Sequence, residues 1–180
     1  MTNKEELIKR WVKNMVIDLN LCPFALPVYK KNQIRYIEMQ SLEFSEALSF
    51  FCEELISLSE TDKDDTATTL VILPQFDDDF DDYLDFLFAA ENMLERIGFK
   101  STFQLASFHP KYIFNEAGDN DLSNYTNRAP HSVIHIIRED DVELARNFYK
   151  NIHQIPEENI KTMNRLGEDK IKKILSDLIL

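Results

Sequence analysis

The chain has 180 residues, of which 44% are hydrophobic, and its 32 acidic and 20 basic side chains give a formal net charge of −12. A chain of this length fits one domain and buries on the order of 70% of the surface that its unfolded form exposes. The negative charge repels phosphate backbones and anionic lipid headgroups, which disfavours nucleic acid and membranes as partners. We therefore predict a single domain over residues 1–180.

The cysteine content and the N-terminus predict a cellular compartment. Two cysteines, Cys22 and Cys52, cannot form a disulfide framework, and the first residues lack the apolar core of a signal peptide. No apolar run approaches the roughly eighteen residues that a membrane span requires. We expect a cytoplasmic protein, and its oligomeric state is left open.

The first predicted element is an amphipathic helix over about residues 3–20. Thr2 and Glu5 form a capping-box pattern, and apolar residues then recur at helical spacing. Pro23 disfavours helical geometry at the residue before it, so the helix ends and Cys22 lies at a helix-to-loop corner. The dipole at a helix C-terminus raises a thiol pKa, which favours burial of Cys22 over a nucleophilic role.

A strand and a helix follow. Residues 33–39 are rich in β-branched and aromatic side chains, which is typical of a strand. Ser41 can cap the next helix, whose apolar stripe includes Cys52. The continuous apolar run over residues 68–74 predicts a central strand covered by helices on both faces.

The second half of the chain begins with a helix that starts near Asp79 and stops at Gly98. The elements predicted after it are strands over 101–108 and 132–138 and helices over 140–151 and 156–180, the last broken near Gly167. This order of elements predicts a mixed α/β fold with a sheet of about four strands flanked by helices. If the first three strands run parallel and the fourth returns antiparallel beside the third, the connection between the last two overhangs the carboxyl edge of the sheet.

That connection is the most polar stretch of the chain. It spans roughly twenty residues, whereas such connections usually have two to six, and this length indicates a functional loop. The side chains in it that suit ligand chemistry are His109, Asp121, Asn124, Asn127 and Arg128. A structural interpretation stays open, in which His109 caps a strand and the asparagines form turns.

Other polar groups suggest metals, but their spacing does not. The acidic run Asp77–Asp82 fails the calcium-loop pattern and is expected to be a solvated helix N-terminus. His131 and His135 lie in a strand, where four residues span about 13 Å, too far for two ligands of one zinc ion. His135 is either a hydrogen-bonded core residue or part of a site. With only three glycines and no glycine-rich nucleotide loop, we expect no metal and no cofactor.

Four segments together resemble an uncharacterised bacterial family called domain of unknown function 1415. They are LCPFA (21–25), QLASFHP (104–110), the Asp121 to Arg128 loop and HIIRE (135–139). The resemblance indicates which residues belong to the family pattern but not which reaction they serve, because the family has no assigned activity. The matching positions are Cys22, Pro23, Gln104, Ser107, His109, Asp121, Asn124, Asn127, Arg128, His135, Arg138 and Glu139.

The chain departs from that family at two places. It has Asn120-Asp121 where the family tends to carry paired aspartates, and His131 where the family tends to have tyrosine after the proline. The resemblance therefore supports neither a two-carboxylate metal site nor a role for His131.

These residues lead to a hypothesis of an enzyme, a hydrolase or group transferase, that acts on a small anionic metabolite. Its residues are Arg128 to hold the anion, Asn124 and Asn127 to orient it, His109 as general acid or base paired with Asp121, and Gln104 and Ser107 as further substrate contacts. Additional candidates are Cys22, His135, Arg138 and Glu139. The alternatives are a non-catalytic ligand-binding or sensor module and an interaction protein whose loop is a scaffold. The sequence names neither the substrate nor the strand order.

Overall fold

The computed structural model describes residues 3–40, 43–148 and 152–179. The helices are α1 (Lys4–Trp11, continued as a π-helix over Val12–Ile17), α2 (Ala25–Lys30), α3 (Phe44–Glu60), α4 (Phe80–Arg96), α5 (Glu139–Phe148), α6 (Ile155–Leu166) and α7 (Glu168–Asp177). The strands are β1 (Ile34–Glu38), β2 (Thr68–Ile72), β3 (Phe103–Phe108) and β4 (Val133–Arg138), and short 3₁₀-helices cover Pro74–Phe76, Leu122–Thr126 and Ile152–Gln154. Several residues at predicted helix ends lie outside the described ranges, namely Thr2, Ser41, residues 149–151 and Leu180.

The four strands form one mixed sheet in the order β1-β2-β4-β3. Strands β1 and β2 are parallel, and β4 is antiparallel to both of its neighbours, β2 and β3. The first three strands therefore share one direction, and the start of β4 lies beside their carboxyl ends. This arrangement confirms the predicted mixed α/β fold.

Strand β2 is the centre of the core, because all five of its residues are buried. Its alternating side chains enter two apolar clusters, one on each face of the sheet. Leu70 and Ile72 pack with α1, α6 and α7, whereas Val71 packs with α3 and α4. A continuous apolar run suits a strand that has helices on both faces, and this explains the pattern in the sequence.

Helix α1 crosses the carboxyl edge of the sheet. Lys4 Nζ contacts Glu38 Oε1 at 2.7 Å at the end of β1, and the ring of Trp11 lies 5.1 Å from that of Phe108 at the end of β3. Three strand spacings of about 4.8 Å separate those two ends, which an eight-residue helix with a rise of about 1.5 Å per residue can bridge with its side chains. The cap of this helix is Asn3, whose side chain accepts a hydrogen bond from the Glu5 amide.

On the opposite face of the sheet, side chains form hydrogen bonds with the backbone at the start of α4 and at the end of α3. Asp79 caps α4 and accepts hydrogen bonds from the amides of Asp81 and Asp82, as predicted. Arg138 closes the end of α3, because its guanidinium donates to the carbonyls of Leu58 and Thr61, both at 2.8 Å. No helix in the described ranges is long and apolar enough to cross a membrane.

Candidate functional site

A carboxylate and an imidazole meet at the carboxyl edge of the sheet. Asp77 follows the 3₁₀-helix after β2, and His131 precedes β4. His131 Nδ1 lies 2.6 Å from Asp77 Oδ2. Both side chains are partly accessible, with 23% of Asp77 and 17% of His131 exposed. They are therefore shielded enough for a strong interaction and open enough to meet a ligand.

Ser132 holds the other oxygen of the same carboxylate. The Ser132 amide and hydroxyl donate to Asp77 Oδ1 at 2.6 and 2.9 Å, and Ser132 is completely buried. Its carbonyl accepts a hydrogen bond from the Leu73 amide at 2.8 Å, which ties it to the end of β2. The carboxylate thus bridges the ends of two neighbouring strands and has a fixed orientation.

This orientation selects one form of the His131 ring. A carboxylate accepts hydrogen bonds, so Nδ1 carries the proton, and in the neutral ring Nε2 carries the lone pair. Nε2 has no hydrogen-bond partner among the described residues. A fixed imidazole with an accessible lone pair can act as a general base.

His109 has a different environment, although it follows β3 at the same edge. It is completely buried, its Nε2 donates to the Phe76 carbonyl at 2.8 Å, and its Nδ1 accepts from the Lys111 amide at 3.0 Å. Burial lowers the pKa of this ring below its ordinary value. Neither nitrogen is available to a ligand in this arrangement, so the catalytic role of His109 stays a prediction that requires these contacts to open.

The two asparagines of the long loop bind its backbone. Asn124 is completely buried, and its amide accepts from the Phe114 N–H and donates to the Gly118 carbonyl at 3.0 and 2.9 Å. Asn127 Nδ2 donates to the Ser107 carbonyl at 3.0 Å. Asn124 therefore satisfies backbone groups of the loop, which has no ladder bonds, and Asn127 ties the loop to the end of β3.

Arg128 and Asp121 also contact the loop itself. The Arg128 guanidinium donates through Nε to the Tyr112 carbonyl at 3.1 Å and through one amino group to the Asp119 carbonyl at 3.0 Å. It lies 4.8 Å from the centroid of the Tyr125 ring. Asp121 is exposed and accepts from the Ser123 amide, which lowers the pKa of its carboxyl. Thus the structure does not bring Asp121 to His109 as a hydrogen-bonded pair.

The remaining candidates on the strands are mostly structural. Thr68 Oγ1 donates to the Ile136 carbonyl and therefore accepts from His135 Nε2 at 2.6 Å. Burial lowers the pKa of His135 to about 4, so the ring is neutral. Ser107 lies 3.4 Å from the Tyr112 hydroxyl, and Gln104 is half-buried on β3. Of the two interpretations of His135, a hydrogen-bonded core residue or part of a site, the structure favours the first.

Asp77 and His131 form a hydrogen-bonded dyad. Three further residues of the family segments make no hydrogen bond to this dyad. Cys22 is half-buried, and burial raises the pKa of its thiol, which is the expected inert environment. Arg138 closes α3, and Glu139 begins α5 with its amide bound to the Thr102 carbonyl at 2.9 Å. No group of three His, Cys, Asp or Glu side chains in the described ranges is arranged to hold a metal ion.

Sequence reasoning missed the Asp77–His131 pair. It interpreted Asp77 as part of a solvated helix N-terminus, and this is wrong for Asp77, which contacts His131 and Ser132. The usable signal was topological: Asp77 follows the carboxyl end of the central strand, and His131 precedes an antiparallel neighbour. Because β4 runs antiparallel to β2, both positions lie at one edge of the sheet.

Comparison with known proteins assigns the family but no activity. No curated protein and no solved structure matches this chain. A family model described as a protein of unknown function, DUF1415, matches residues 3–173 and so covers most of the chain. The chain therefore belongs to the DUF1415 family.

Proposed function

We propose that the protein is an enzyme, a hydrolase or group transferase, that acts on a small anionic metabolite. His131 is its general base. The observation that supports this proposal is the 2.6 Å contact between His131 Nδ1 and Asp77, which leaves Nε2 without a partner among the described residues. In the reaction, Nε2 takes a proton from water or from an acceptor hydroxyl as that oxygen forms a bond to the electrophilic atom of the substrate, and the bond between that atom and the leaving group breaks. Asp77 stabilises the imidazolium that forms, and the proton then passes to the leaving group.

Arg128 is the proposed contact for the anion. It lies three residues before His131, and two of its three guanidinium nitrogens already bind loop carbonyls. The third nitrogen has no hydrogen-bond partner among the described residues, so it can donate to a carboxylate or phosphate oxygen. In this proposal the asparagines contribute by holding the loop that carries Arg128.

The same proposal includes a cytoplasmic location and no nucleic-acid partner. Cys22 and Cys52 are both free thiols, which suits a reducing compartment. The net charge of −12 opposes binding to a phosphate backbone.

A metabolite screen by thermal shift, followed by turnover assays on the compounds that bind, tests the proposal. A ligand at one hundred times its dissociation constant adds about 2.7 kcal/mol of stability and is readily detected. With an active substrate, Asp77→Asn should lower kcat/KM by about three to four orders of magnitude, because an amide favours the wrong tautomer of the histidine.

Asp78→Asn is the matched control. Asp78 is the next residue, is exposed and loses the same charge on substitution, so its kcat/KM should stay within about threefold of wild type. Equal activity of the two variants would exclude His131 as an Asp77-oriented base. A ligand that binds without turnover would favour the binding-module alternative.

A further inference from the structure

We infer that His109 is a positioning residue for the Asp77–His131 pair and that it acts through the carbonyl of Phe76. This inference rests on the proposed function, because it gives His109 the task of holding the carboxylate that orients His131. It also explains why the buried residue at position 109 is a histidine, which can donate a hydrogen bond, and not an apolar residue of similar volume.

One hydrogen bond and one peptide bond connect His109 to Asp77. His109 Nε2 donates to the Phe76 carbonyl at 2.8 Å, and the next residue is Asp77. The Asp77 amide donates to the Pro74 carbonyl at 3.2 Å within the same tight turn. Because the peptide plane of the Phe76 carbonyl also contains the nitrogen and Cα of Asp77, fixing this carbonyl fixes the position from which the Asp77 side chain extends.

His109 is itself held from several sides. Its Nδ1 accepts from the Lys111 amide at 3.0 Å, which leaves the proton on Nε2 for the Phe76 carbonyl. Its ring centroid lies 5.0 Å from that of Phe80 and 5.1 Å from that of Tyr83. The His109 ring that donates to the Phe76 carbonyl is therefore held as one tautomer in one position.

Tyr83 connects the other side of the pair to the same cluster. Its hydroxyl donates to the Val133 carbonyl at 2.8 Å and accepts from the Phe108 amide at 3.2 Å. Val133 directly follows Ser132, which holds Asp77 Oδ1. The cluster of His109, Phe80 and Tyr83 thus contacts the backbone directly before Asp77 and two residues after His131.

Nitrogen NMR of the His131 ring tests this inference without any substrate. In the wild-type protein Asp77 should hold His131 with the proton on Nδ1, whereas a free imidazole prefers the proton on Nε2. His109→Gln retains a donor that can reach the Phe76 carbonyl, because Gln Nε2 extends about as far as His Nε2. His109→Asn is too short to reach it but keeps an acceptor for the Lys111 amide.

We expect H109Q to keep the Nδ1-protonated form of His131 and H109N to lose it largely in favour of the Nε2-protonated form. His109→Met, which fills the volume without a donor, should behave like H109N and serves as the second variant if H109N does not fold. Wild-type tautomer in folded H109N or H109M would overturn the inference, and so would loss of that tautomer in folded H109Q. Turnover assays of Asp77→Asn decide the proposed function separately, so the two can fail independently.

Discussion

Two neighbouring polar regions of this protein use their hydrogen-bonding groups in opposite ways. In the long loop between β3 and β4, the side chains of Asn124, Asn127 and Arg128 all bind backbone groups of the loop or of β3. In the dyad, Asp77 binds His131 on one oxygen and Ser132 on the other, and His131 Nε2 is left without a partner in the described part of the chain.

This contrast shows why a concentration of polar residues is an ambiguous signal. A segment without ladder bonds needs side-chain partners for its buried N–H and C=O groups, and asparagine supplies both a donor and an acceptor. A reactive site needs an atom that its neighbours orient but do not bind. The asparagines of the loop meet the first requirement and His131 of the dyad meets the second, whereas Arg128 binds loop carbonyls and keeps one nitrogen without a partner among the described residues.

The largest expected effect concerns Trp11, which binds the backbone of the long loop. It is 2% exposed, and its indole N–H donates to the Arg128 carbonyl at 3.1 Å. Trp11→Ala should lower the free energy of unfolding by roughly 3 to 5 kcal/mol, because it leaves a large cavity under the loop. Trp11→Phe, which removes the N–H but keeps an aromatic ring, should cost much less. Denaturant unfolding measures both, and a fully stable Trp11→Ala variant would show that α1 does not pack on the sheet edge.

A smaller effect should separate structural from solvated asparagines in the loop. Asn124→Ala leaves the Phe114 N–H and the Gly118 carbonyl without their partner and should cost roughly 2 to 3 kcal/mol. Asn120→Ala changes the same residue type at an exposed position of the same loop, and its effect should stay within about 0.5 kcal/mol. If both variants unfold at the same denaturant concentration, Asn124 is not the residue that holds the loop together.

The smallest effect concerns the titration of His135. Since burial lowers the pKa of His135 to about 4, only the unfolded chain binds a proton at this residue between that value and about 6.5. The resulting stability is present above about pH 6.5 and is lost as the pH falls towards 4, by roughly 1 to 2 kcal/mol between pH 7 and 5.

His135→Gln is the control for this titration, because its amide can still donate to Thr68 but does not titrate. Wild type should lose more unfolding free energy than H135Q between pH 7 and pH 5 in urea titrations. Parallel curves for the two proteins would mean that His135 titrates normally in the folded state.

Much of the fold could be predicted from local patterns. The apolar run of β2, the cap at Asp79 and the stop at Gly98, whose φ of 82° suits glycine, all depend on short-range physics and agree with the structure. The direction of β4 was left open by the sequence, and the structure shows that β4 runs antiparallel to β3 and so brings the two ends of the long loop together. The cap of α1 was assigned to Thr2, whereas the structure uses Asn3, one position later.

The sequence by itself therefore determined the four strands, the helices other than α2 and the mixed α/β class, and it left the strand order and the direction of β4 open. Under the condition of an antiparallel β4, it placed the long loop at the carboxyl edge of the sheet. Only the tertiary structure decided which polar atoms at that edge stay unpaired. Phe76, Lys111 and Asp77 come from separate segments, so local spacing cannot show that the first two take both nitrogens of His109 while Asp77 takes only one of His131. The availability of a ring nitrogen depends on its neighbours in space, and those are fixed only when the strands pair.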